Sequence, residues 1–388
     1  MSYTKCVTLA LIAVLAAACS NSVAVPSTHA GVSYGASHAA ADSAVPPADH
    51  TSILKKLTKD VVIGSTVDPN NGDTGPHAIS IVETNYGLKK GQLIVCNFAN
   101  SSGSAGKGTT VEVLNAKPGS KPTTFVQDDR LAGCDGAATT LGDEVCAGGL
   151  KGAGELICFD HSGGVVQTYG APIKAPFSVA DVHCNVRTAS FCGYSAEYIF
   201  VGDAKTGGIV NFSVNQYGNP NEIQVASGFA VNKGSGWSAL GPSGLSYNPK
   251  RDELYITDGV NDTVVGFTNA GELFVKNEII VLKGGKTFKC KYDSGRAPCG
   301  TLIFAGSPLN APVAMAMLPN GNLIVANGKG GNTLVEIDVS TGKVLSTKVI
   351  DKNKKQAIFA LKAIGTKDSN TALYYTDRND NSLHELEQ

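Results

Sequence analysis

The sequence predicts an all-β fold, a six-bladed β-propeller with four strands in each blade. Three observations support this fold class. The chain of 388 residues contains 45 glycines and only 17% charged residues, a composition typical of short strands joined by tight turns. One short apolar motif recurs about every fifty residues. One predicted strand precedes the first repeat and has no partner there, and the last repeat lacks one strand, so the first can complete the last.

The recurring motif is an aliphatic or aromatic run that ends in Asp, Asn or Gly. Its first residues lie 51, 54, 56, 69 and 50 positions apart. Runs of β-branched and aromatic residues bounded by turn-forming residues predict strands. The six copies, each interpreted as the second strand of a blade, are Leu93–Asn97, Glu144–Gly148, Tyr198–Asp203, Leu254–Asp258, Leu323–Asn327 and Leu373–Asp377.

Further strands are predicted on both sides of each copy. The third strands are Val111–Leu114, Glu155–Phe159, Ile209–Phe212, Thr263–Phe267, Thr333–Ile337 and Leu383–Leu386. The inner strands are Ala78–Val82, Ala137–Leu141, Phe177–Ala180, Gly244–Tyr247, Val313–Met317 and Ile358–Leu361. The outer strands are Thr123–Gln127, Val165–Tyr169, Glu222–Ala226, Leu273–Val281 and Lys343–Ile350. The interval of 69 residues is assigned to an insertion over residues 283–306.

The sixth unit has no outer strand of its own before Gln388. Asp60–Gly64 precedes the first unit and has no partner there. We therefore expect this N-terminal strand, residues 60–64, to pair with Leu383–Leu386 and to complete the last blade. A closed ring leaves only short sheet edges exposed. The propeller is accordingly assigned to residues 51–388.

The best-marked repeat is Gly241-Pro-Ser-Gly-Leu-Ser-Tyr-Asn-Pro-Lys-Arg-Asp-Glu-Leu-Tyr-Ile-Thr-Asp258, which continues to Phe267. Ala311–Asn327 and Leu373–Leu386 follow the same pattern. These segments resemble the NHL-repeat family of six-bladed propellers over about residues 60–388. The resemblance implies the fold but no single function, because that family includes scaffolds, ligand binders, lyases and lactonases.

The N-terminus is interpreted as an export signal over residues 1–19. Lys5 supplies positive charge, and Cys6–Ala18 is an apolar run too short to span a bilayer. Two outcomes are open. Signal peptidase cleaves after an Ala-x-Ala site, or Cys19 is lipidated, since Ala16-Ala17-Ala18-Cys19 resembles a bacterial lipobox. Residues 20–50, rich in Ala, Ser and Pro, are predicted to be a disordered linker. We expect a bacterial outer-membrane lipoprotein or a periplasmic or secreted protein.

Eight cysteines remain in residues 51–388, an even number that predicts disulfides in an exported chain. Two pairs are close in sequence and are expected to fasten local loops: Cys184 with Cys192, and Cys290 with Cys299. The remaining four leave their pairing open. They are Cys96, Cys134, Cys146 and Cys158.

Four inner strands begin after a proline, and the residues that follow these prolines are expected at one mouth of the central channel. They are His77, Phe177, Ser243 and Val313. Calcium-dependent lactonases that resemble this fold place oxygen ligands around the channel, whereas these positions offer one imidazole, one hydroxyl and two apolar groups. We therefore expect no cofactor, with a divalent cation such as calcium in the channel as the alternative.

His77 is the candidate catalytic base at this mouth, because an imidazole titrates near neutral pH. His183, just past an inner strand, is a further candidate ligand. Acids and amides that end the second strands are candidate ligand-binding residues, although Asp and Asn there also hold turns. Those considered are Asn97, Asp203, Asp258, Asn327 and Asp377.

Two further features concern loops. Trp237, the one tryptophan of the chain, is expected to cover one face of the propeller. Asp68-Pro-Asn-Asn-Gly-Asp73 hints at a calcium loop, but its fifth position is Gly72 and its twelfth is Ile79, where a calcium loop of the EF-hand type needs an oxygen ligand.

The predicted function is that of a ligand- or protein-binding scaffold, and the alternative is a periplasmic lyase or lactone hydrolase with its site in the channel. Two or more carboxylates beside His77 would favour the enzyme, and an apolar channel would favour the scaffold. With 32 Lys and Arg against 33 Asp and Glu, the composition excludes a strongly basic nucleic-acid-binding surface. We expect a monomer that meets a membrane only through an N-terminal lipid.

Overall fold

The computed structural model describes residues 50–388 except 153, 184–196, 215–219, 235, 293–296 and 354. The described chain contains 26 strands in six sheets. The sheets are the six blades of a propeller, which confirms the predicted fold class. Four short 3-10 helices lie in the connections, at Asp129–Leu131, Gly236–Ser238, Ala270–Glu272 and Asp368–Asn370. The predicted signal peptide with Cys19 and residues 20–49 of the predicted linker lie outside the described residues; the last linker residue, His50, contacts Asp338 at 2.6 Å.

The first two blades follow the predicted repeat, and their strands are consecutive in the sequence. Strand β1 (Lys59–Ser65) comes before them. Blade one consists of β2 (Thr74–Ile81), β3 (Leu93–Ala99), β4 (Thr110–Leu114) and β5 (Thr123–Gln127). Blade two consists of β6 (Gly136–Thr139), β7 (Val145–Gly149), β8 (Glu155–Phe159) and β9 (Val165–Tyr169).

A hairpin is inserted between the third and fourth strands of blade four and pairs with blade three. Blade three consists of β10 (Pro176–His183), β11 (Glu197–Asp203), β12 (Ile209–Val214) and β13 (Pro220–Ser227). Blade four contains β14 (Pro242–Asn248), β15 (Glu253–Asp258) and β16 (Thr263–Thr268). The hairpin of β17 (Ile279–Leu282) and β18 (Thr287–Cys290) extends blade three, and β19 (Cys299–Ala305) completes blade four.

The last two blades return to the repeat. Blade five consists of β20 (Pro312–Met317), β21 (Leu323–Asn327), β22 (Thr333–Asp338) and β23 (Lys343–Val349). Blade six contains β24 (Leu361–Ile364), β25 (Ala372–Asp377) and β26 (Ser382–Glu387). Its fourth strand is β1, which pairs antiparallel with β26 from Lys59 opposite Glu387 to Ser65 opposite Ser382.

The predicted outer strand of blade four, Leu273–Val281, is wrong. The strand that pairs with β16 is β19, whereas β17 pairs in parallel with β13 of blade three. Leu273 and Ile279 are fully buried in the core next to blade three. Their apolar pattern therefore reflects burial beside another blade, and the outer strand lies within residues 283–306, which the sequence assigned to an insertion.

The inner strand of blade six also differs from the prediction of Ile358–Leu361, because β24 begins only at Leu361. Thr376 on β25 explains the shift. Its hydroxyl accepts a hydrogen bond from the backbone N–H of Ala360 at 3.1 Å, and its backbone N–H donates to the Ala360 carbonyl at 3.2 Å. A side chain thus replaces one regular ladder bond before the strand begins.

Disulfides agree with the expectations where they can be compared. The described residues contain Cys96–Cys134, Cys146–Cys158 and Cys290–Cys299. Cys96 lies on β3 and Cys134 precedes β6, so one bond joins blades one and two. The predicted pair of Cys184 and Cys192 lies outside the described residues. Disulfides persist in oxidising compartments, and three of them are consistent with an extracytoplasmic protein.

The segment before β1 docks on blade five. Ile53, Leu54 and Leu57 are fully buried against the core between blades five and six. The carboxylate of Glu336 on β22 receives hydrogen bonds from the Ser52 hydroxyl at 2.6 Å and from two backbone N–H groups at 3.1 and 2.9 Å. The Asn322 amide adds a fourth donor at 3.0 Å. This buried carboxylate is therefore fully satisfied by neutral donors.

Within the part of the chain that the structure describes, no helix has both the length and the apolar character needed to cross a bilayer.

Candidate functional site

The inner strands surround a channel that contains two cavities. The first, about 50 Å³, lies at the mouth where the inner strands begin, and the second, about 430 Å³, lies at the opposite mouth. One residue from each inner strand lines both cavities and therefore stands between them. This constriction consists of Ile79, Ala137, Val179, Leu245, Met315 and Leu361. The channel is thus divided by an apolar ring.

The first cavity contains a buried histidine–aspartate pair. His77 on β2 is 2% exposed, and its Nδ1 contacts Oδ1 of Asp135, which lies just before β6 and is 3% exposed. Burial raises the pKa of Asp135 above its ordinary value, although the nearby His77 opposes this shift. The Nε2 atom of His77 has no hydrogen-bond partner among the described residues. Such a pair has the elements of a general base, but a substrate would have to reach it.

Aromatic rings cover this pair. The His77 ring stacks on Phe359 at 4.1 Å between centroids and lies 4.6 Å from Phe98 and 5.6 Å from Phe177. Trp237, on the 3-10 helix Gly236–Ser238, packs over the group at 5.8 Å from His77. The mouth that carries the histidine is therefore closed by side chains.

Two contacts hold the position of Trp237. The Arg378 guanidinium lies over its ring at 4.2 Å from the centroid, a cation–π arrangement. Gly75 also approaches the indole; it adopts a φ of 71°, and a Cβ atom there would lie 2.4 Å from the ring. Glycine is therefore needed for Trp237 to sit over the channel.

The four positions predicted at this mouth do come together, but not as ligands in an open site. Phe177 packs against His77, and the Ser243 hydroxyl donates to the Pro312 carbonyl at 2.7 Å. Val313 is buried against Leu240. Ser243 therefore holds the start of the neighbouring blade in addition to lining the first cavity.

Two residues at the same level were missed, Asp135 and Phe359. Each lies two positions before a residue of the constriction, as His77, Phe177, Ser243 and Val313 do. Blades two and six have no proline at the start of the inner strand, so nothing marked this position in the sequence. Counting back two residues from the apolar inner positions would have found both residues.

The acids and amides at the ends of the second strands hold backbone turns. The Asp203 carboxylate accepts from the backbone N–H groups of Lys174 at 2.9 Å and Lys205 at 2.8 Å. Burial raises the pKa of Asp258 and raises that of Asp377 to about 6. The other turn contacts are those of Asp258 with Val260 and Asn261, of Asn327 with Asn310 and Pro308, of Asp377 with Asn379, and of Asn97 with Thr66.

The second candidate histidine belongs to the other mouth. His183 is the last residue of β10, and its side chain is outside the described part of the structure. This end of β10 leads to the larger cavity, which Asp181 of the same strand lines. His77 and His183 therefore lie at opposite ends of their inner strands.

The larger cavity is lined by all six inner strands, and its surface is about equally polar and apolar. Its polar side chains include Glu83, Asp181 and Lys362. Tyr247 also lines it and donates its hydroxyl hydrogen to Asp252 at 2.9 Å. Small-molecule sites are typically 300–1,000 Å³, mostly apolar, with a few polar groups that orient the ligand. The second mouth has this size and carries polar groups around an apolar constriction, with a larger polar share than is typical.

One cluster of metal-ligating residue types occurs among the described residues, at Asp377, Asp380 and His384. Both ring nitrogens of His384 are already engaged, Nδ1 with Asp60 at 3.1 Å and Nε2 with Asp380 at 3.2 Å. A metal ligand needs a free nitrogen lone pair. This cluster is therefore an ion-pair network at the pairing of β1 with β26.

Comparisons with known proteins support the fold alone. No protein-family model and no curated protein sequence matches the chain. A protein of unknown function from Bacteroides thetaiotaomicron is similar in structure, with a TM-score of 0.51, 14% identity, and coverage of 84% of this chain and 74% of the other. A gluconolactonase from Xanthomonas campestris has a TM-score of 0.51, 12% identity, and coverage of 81% and 86%. At these identities the similarity shows a propeller and no activity.

Proposed function

We propose that this protein is an extracytoplasmic propeller that binds a small organic ligand and does not transform it. The observation that carries the proposal is the contrast between the two mouths of the channel. The mouth with the histidine is covered by aromatic rings and holds a cavity of about 50 Å³, whereas the other opens into one of about 430 Å³.

The first mouth offers little for catalysis. Asp135 is the one carboxylate in the described lining of the cavity that holds His77. A single carboxylate falls short of the two or more expected for the enzyme, although the larger share of the surface of this cavity is polar. General acid–base catalysis needs a substrate proton within hydrogen-bond reach of the base. Trp237 and its neighbours occupy the approach from this side, and the apolar constriction separates it from the larger cavity.

The second mouth suits a ligand with an apolar body and a charged or polar end. The constriction supplies the apolar floor, and Lys362, Glu83 and Asp181 supply charges of both signs around the opening. Burial of apolar surface supplies most of the binding free energy, at about 25 cal/mol for each Å² removed from water. The charged groups then fix orientation and specificity.

A fluorescent probe tests this assignment. N-phenyl-1-naphthylamine is a neutral apolar dye that fluoresces when it leaves water, and it fits a cavity of this size. We expect a saturable rise in fluorescence with the wild-type protein. Ala363→Phe fills the larger cavity that Ala363 lines and should abolish the saturable signal.

Ala116→Phe is the matched control, because Ala116 is exposed on the turn after β4. This variant should bind the dye as the wild type does. Equal saturable binding by Ala363→Phe, at an unchanged melting temperature, would overturn the assignment of the ligand to this mouth.

The alternative is a lyase or lactone hydrolase that uses His77. The contact between His77 and Asp135 favours it, because a carboxylate beside an imidazole fixes the tautomer that can accept a proton. The test is hydrolysis of glucono-δ-lactone, with and without calcium in the channel. The binding proposal expects no turnover above background. Turnover that His77→Ala abolishes would replace the binding proposal with this alternative.

Export and anchoring complete the proposal. We assign residues 1–19 to the export signal, with cleavage before Cys19 and lipidation of that cysteine, and the repeats to the NHL type, in a monomer without a nucleic-acid partner. The disulfides support export, and the recurring motif supports the repeat type. Mass spectrometry of the mature N-terminus tests the anchor. A diacyl or triacyl mass on Cys19 is expected, and an unmodified Cys19 would refute anchoring.

A further inference from the structure

The inserted hairpin of β17 and β18 is an addition that the propeller does not need. These two strands follow β13 in the sheet of blade three, whereas blades one, two, five and six each contain four strands. Blade four also reaches four strands without the hairpin, because β19 is its outer strand. A role other than closing the ring is therefore expected for the hairpin.

One face of the hairpin packs on the propeller. Val281 lies directly opposite Phe288 in the register and is 2% exposed. The Phe288 ring packs edge-on against Phe267, with 6.5 Å between the centroids. The disulfide between Cys290 and Cys299 joins the end of β18 to β19. The hairpin is thus held firmly against blades three and four, and its other face is turned outward.

The outward side of the hairpin is strongly basic. Residues 279–292 contain four lysines and no acid. Two of the lysines lie in the turn between the strands, one lies on β18, and one follows β18. All four are exposed: Lys283, Lys286, Lys289 and Lys291.

The register shows which side chains share the outward face. Lys289 lies opposite Ile280 on β17, and Leu282 lies two residues further along that strand. Residues opposite each other, and residues two apart on one strand, point to the same face of a sheet. Lys289 and Leu282 therefore both point away from the buried face that carries Val281 and Phe288.

No acid on the surface compensates these charges. Among the described residues, none of the four ammonium groups forms an ion pair. Glu278, whose carbonyl accepts the backbone N–H of Lys291 at 2.8 Å, is the acid next to the hairpin. Its side chain is buried, and its carboxylate accepts from the backbone N–H of Val275 at 3.3 Å. The hairpin thus presents positive charge to the solvent.

Large apolar side chains are exposed among the lysines. Leu282 is 43% exposed at the end of β17, and Tyr292, just after β18, is 48% exposed. The ammonium group of Lys291 lies 5.6 Å from the centroid of the Tyr292 ring. On β19, the strand joined to β18 by the disulfide, Leu302 is 41% exposed. The surface is therefore both cationic and apolar.

The turn keeps a lysine where another residue would be easier. Lys283 has a φ of 49°, and Gly284 and Gly285 follow with φ values of 66° and 80°. A positive φ suits glycine or asparagine better than a residue with a long side chain. A charge at the tip of the hairpin is thus present in spite of a conformational cost.

The spacing of the charges favours an extended anionic surface over a single small anion. Lys286 and Lys291 are five residues apart on a strand, about 17 Å at the usual rise. Lysine also acts as a point charge without the bidentate geometry that arginine offers to one phosphate or carboxylate. A soluble anionic polymer would satisfy the charges, but it offers no apolar layer for Leu282 and Tyr292.

We propose that this hairpin docks the propeller on a bilayer that contains anionic lipids. The lysines contact the headgroup phosphates, while Leu282 and Tyr292 enter the interface, where aliphatic and aromatic side chains are favourable. This surface departs from the expectation that the protein meets a membrane only through an N-terminal lipid. It does not depend on the ligand proposed for the channel.

The position of the hairpin defines the orientation on the bilayer. β17 and β18 are the outermost strands of their sheet, at the opposite end from the inner strand β10. A bilayer that contacts them lies against the side of the propeller. Both mouths of the channel, including the larger cavity, then remain accessible from the solvent.

The test is co-sedimentation of the mature chain with lipid vesicles. The chain carries Cys19→Ser, so no acyl group contributes to binding. Phosphatidylcholine vesicles with about 30% phosphatidylglycerol should bind it at least about 20-fold more strongly than vesicles of phosphatidylcholine alone. An increase from about 0.1 M to about 0.5 M salt should remove most of the difference, because salt screens exposed charges.

Replacing the four lysines of the hairpin by glutamine should lower the partition coefficient at least about 100-fold, since each lysine near an anionic bilayer contributes about fivefold. Replacing the same four by arginine should preserve binding, because the charge is kept. Leu282→Ser should weaken binding about fivefold through the loss of apolar contact. Melting temperatures of all variants show whether the fold is retained.

The matched control replaces four exposed lysines of blade one by glutamine and changes the net charge by the same amount. It should bind the anionic vesicles as the wild type does. The four residues are Lys89, Lys90, Lys117 and Lys121.

Three results would overturn the proposal. One is equal binding to vesicles with and without phosphatidylglycerol. Another is the same loss of binding in the control as in the glutamine variant of the hairpin, which would assign the effect to net charge. The third is binding to soluble polyglutamate without binding to the anionic vesicles, which would make an acidic polymer the partner.

Discussion

Glu112 and Glu336 lie on the third strands of blades one and five, and both side chains are 0% exposed. Glu336 receives four hydrogen bonds, three of them from the segment of residues 52–54 that docks on blade five. Glu112 receives none of acceptable geometry among the described residues and faces two other acids. The same residue type in similar strands is therefore compensated in one blade and uncompensated in the other.

The difference shows that burial alone does not determine what a charged side chain does. Glu336 is structural, because neutral donors from a distant part of the chain fix its charge in place. Glu112 has no such set of donors, and burial together with the neighbouring Asp68 raises its pKa to about 9, so its carboxyl group is protonated at neutral pH. Isosteric Glu→Gln substitutions at the two positions should therefore act in opposite directions.

Glu336→Gln should have the largest effect. The amide replaces an oxygen that accepts two hydrogen bonds with an NH₂ group that faces donors. We expect a loss of about 3 kcal/mol in the free energy of unfolding, measured by urea denaturation. Ser52→Ala removes one of the four donors and should cost only about 1 kcal/mol. Equal effects of the two variants would contradict the view that the carboxylate organises the docked segment.

Glu112→Gln should be stabilising. Its amide can donate to the Asp68 carboxylate, and it removes the need to protonate a buried acid. We expect a gain of about 2 kcal/mol at pH 8, measured by urea denaturation.

The sign of the pH dependence follows from the raised pKa of Glu112. An acid with a raised folded-state pKa contributes most below its unfolded value of about 4.3 and loses that contribution as the pH rises toward 9. The gain from Glu112→Gln should therefore be small at pH 4.5 and grow with pH. A loss of stability at pH 8 would mean that Glu112 is compensated as Glu336 is.

His384 provides a third case, in which a buried cation is compensated by acids. Burial lowers its pKa, but the hydrogen bonds and charges of Asp60 and Asp380 outweigh burial and raise it above the ordinary value. Its stabilising contribution is therefore complete below about pH 6.5 and is lost as the pH rises through the raised pKa.

His384→Gln should cost about 1 kcal/mol at pH 6 and very little at pH 9. Thermal unfolding of the wild type and the variant across this range measures the difference. His161→Gln, at an exposed histidine, is the control and should show no such trend. A cost that is the same at both pH values would show that packing on Tyr375, at 4.8 Å between ring centroids, matters more than charge.

The repeat of second strands predicted the blades because each blade contains the same local pattern. Prediction failed where the pattern was not local. Leu273–Val281 is as apolar as an outer strand, but its burial comes from the neighbouring blade. No property of a single segment distinguishes the two cases, and only the pairing of β17 with β13 decides between them.

The sites were less predictable than the fold for the same reason. His77 was found through the proline before it, whereas Asp135 was missed because its blade lacks that proline. Nothing in the sequence marks Glu112, since it is a single acid between two valines. The unusual electrostatic environment of Glu112 is evident only in the folded chain, where the connection after β1 places Asp68 and Asp73 near it.

The docked segment before β1 also has a mechanical consequence. A pull on the chain upstream of residue 50 reaches the contacts of Ser52 and Leu54 with Glu336 before it reaches β1. The contacts of this segment with blade five must therefore break before any tension can separate β1 from β26. Force applied at the N-terminal end of the propeller therefore breaks the contacts of residues 52–54 with Glu336 first. The pairing of β1 with β26, which closes the ring, is loaded last.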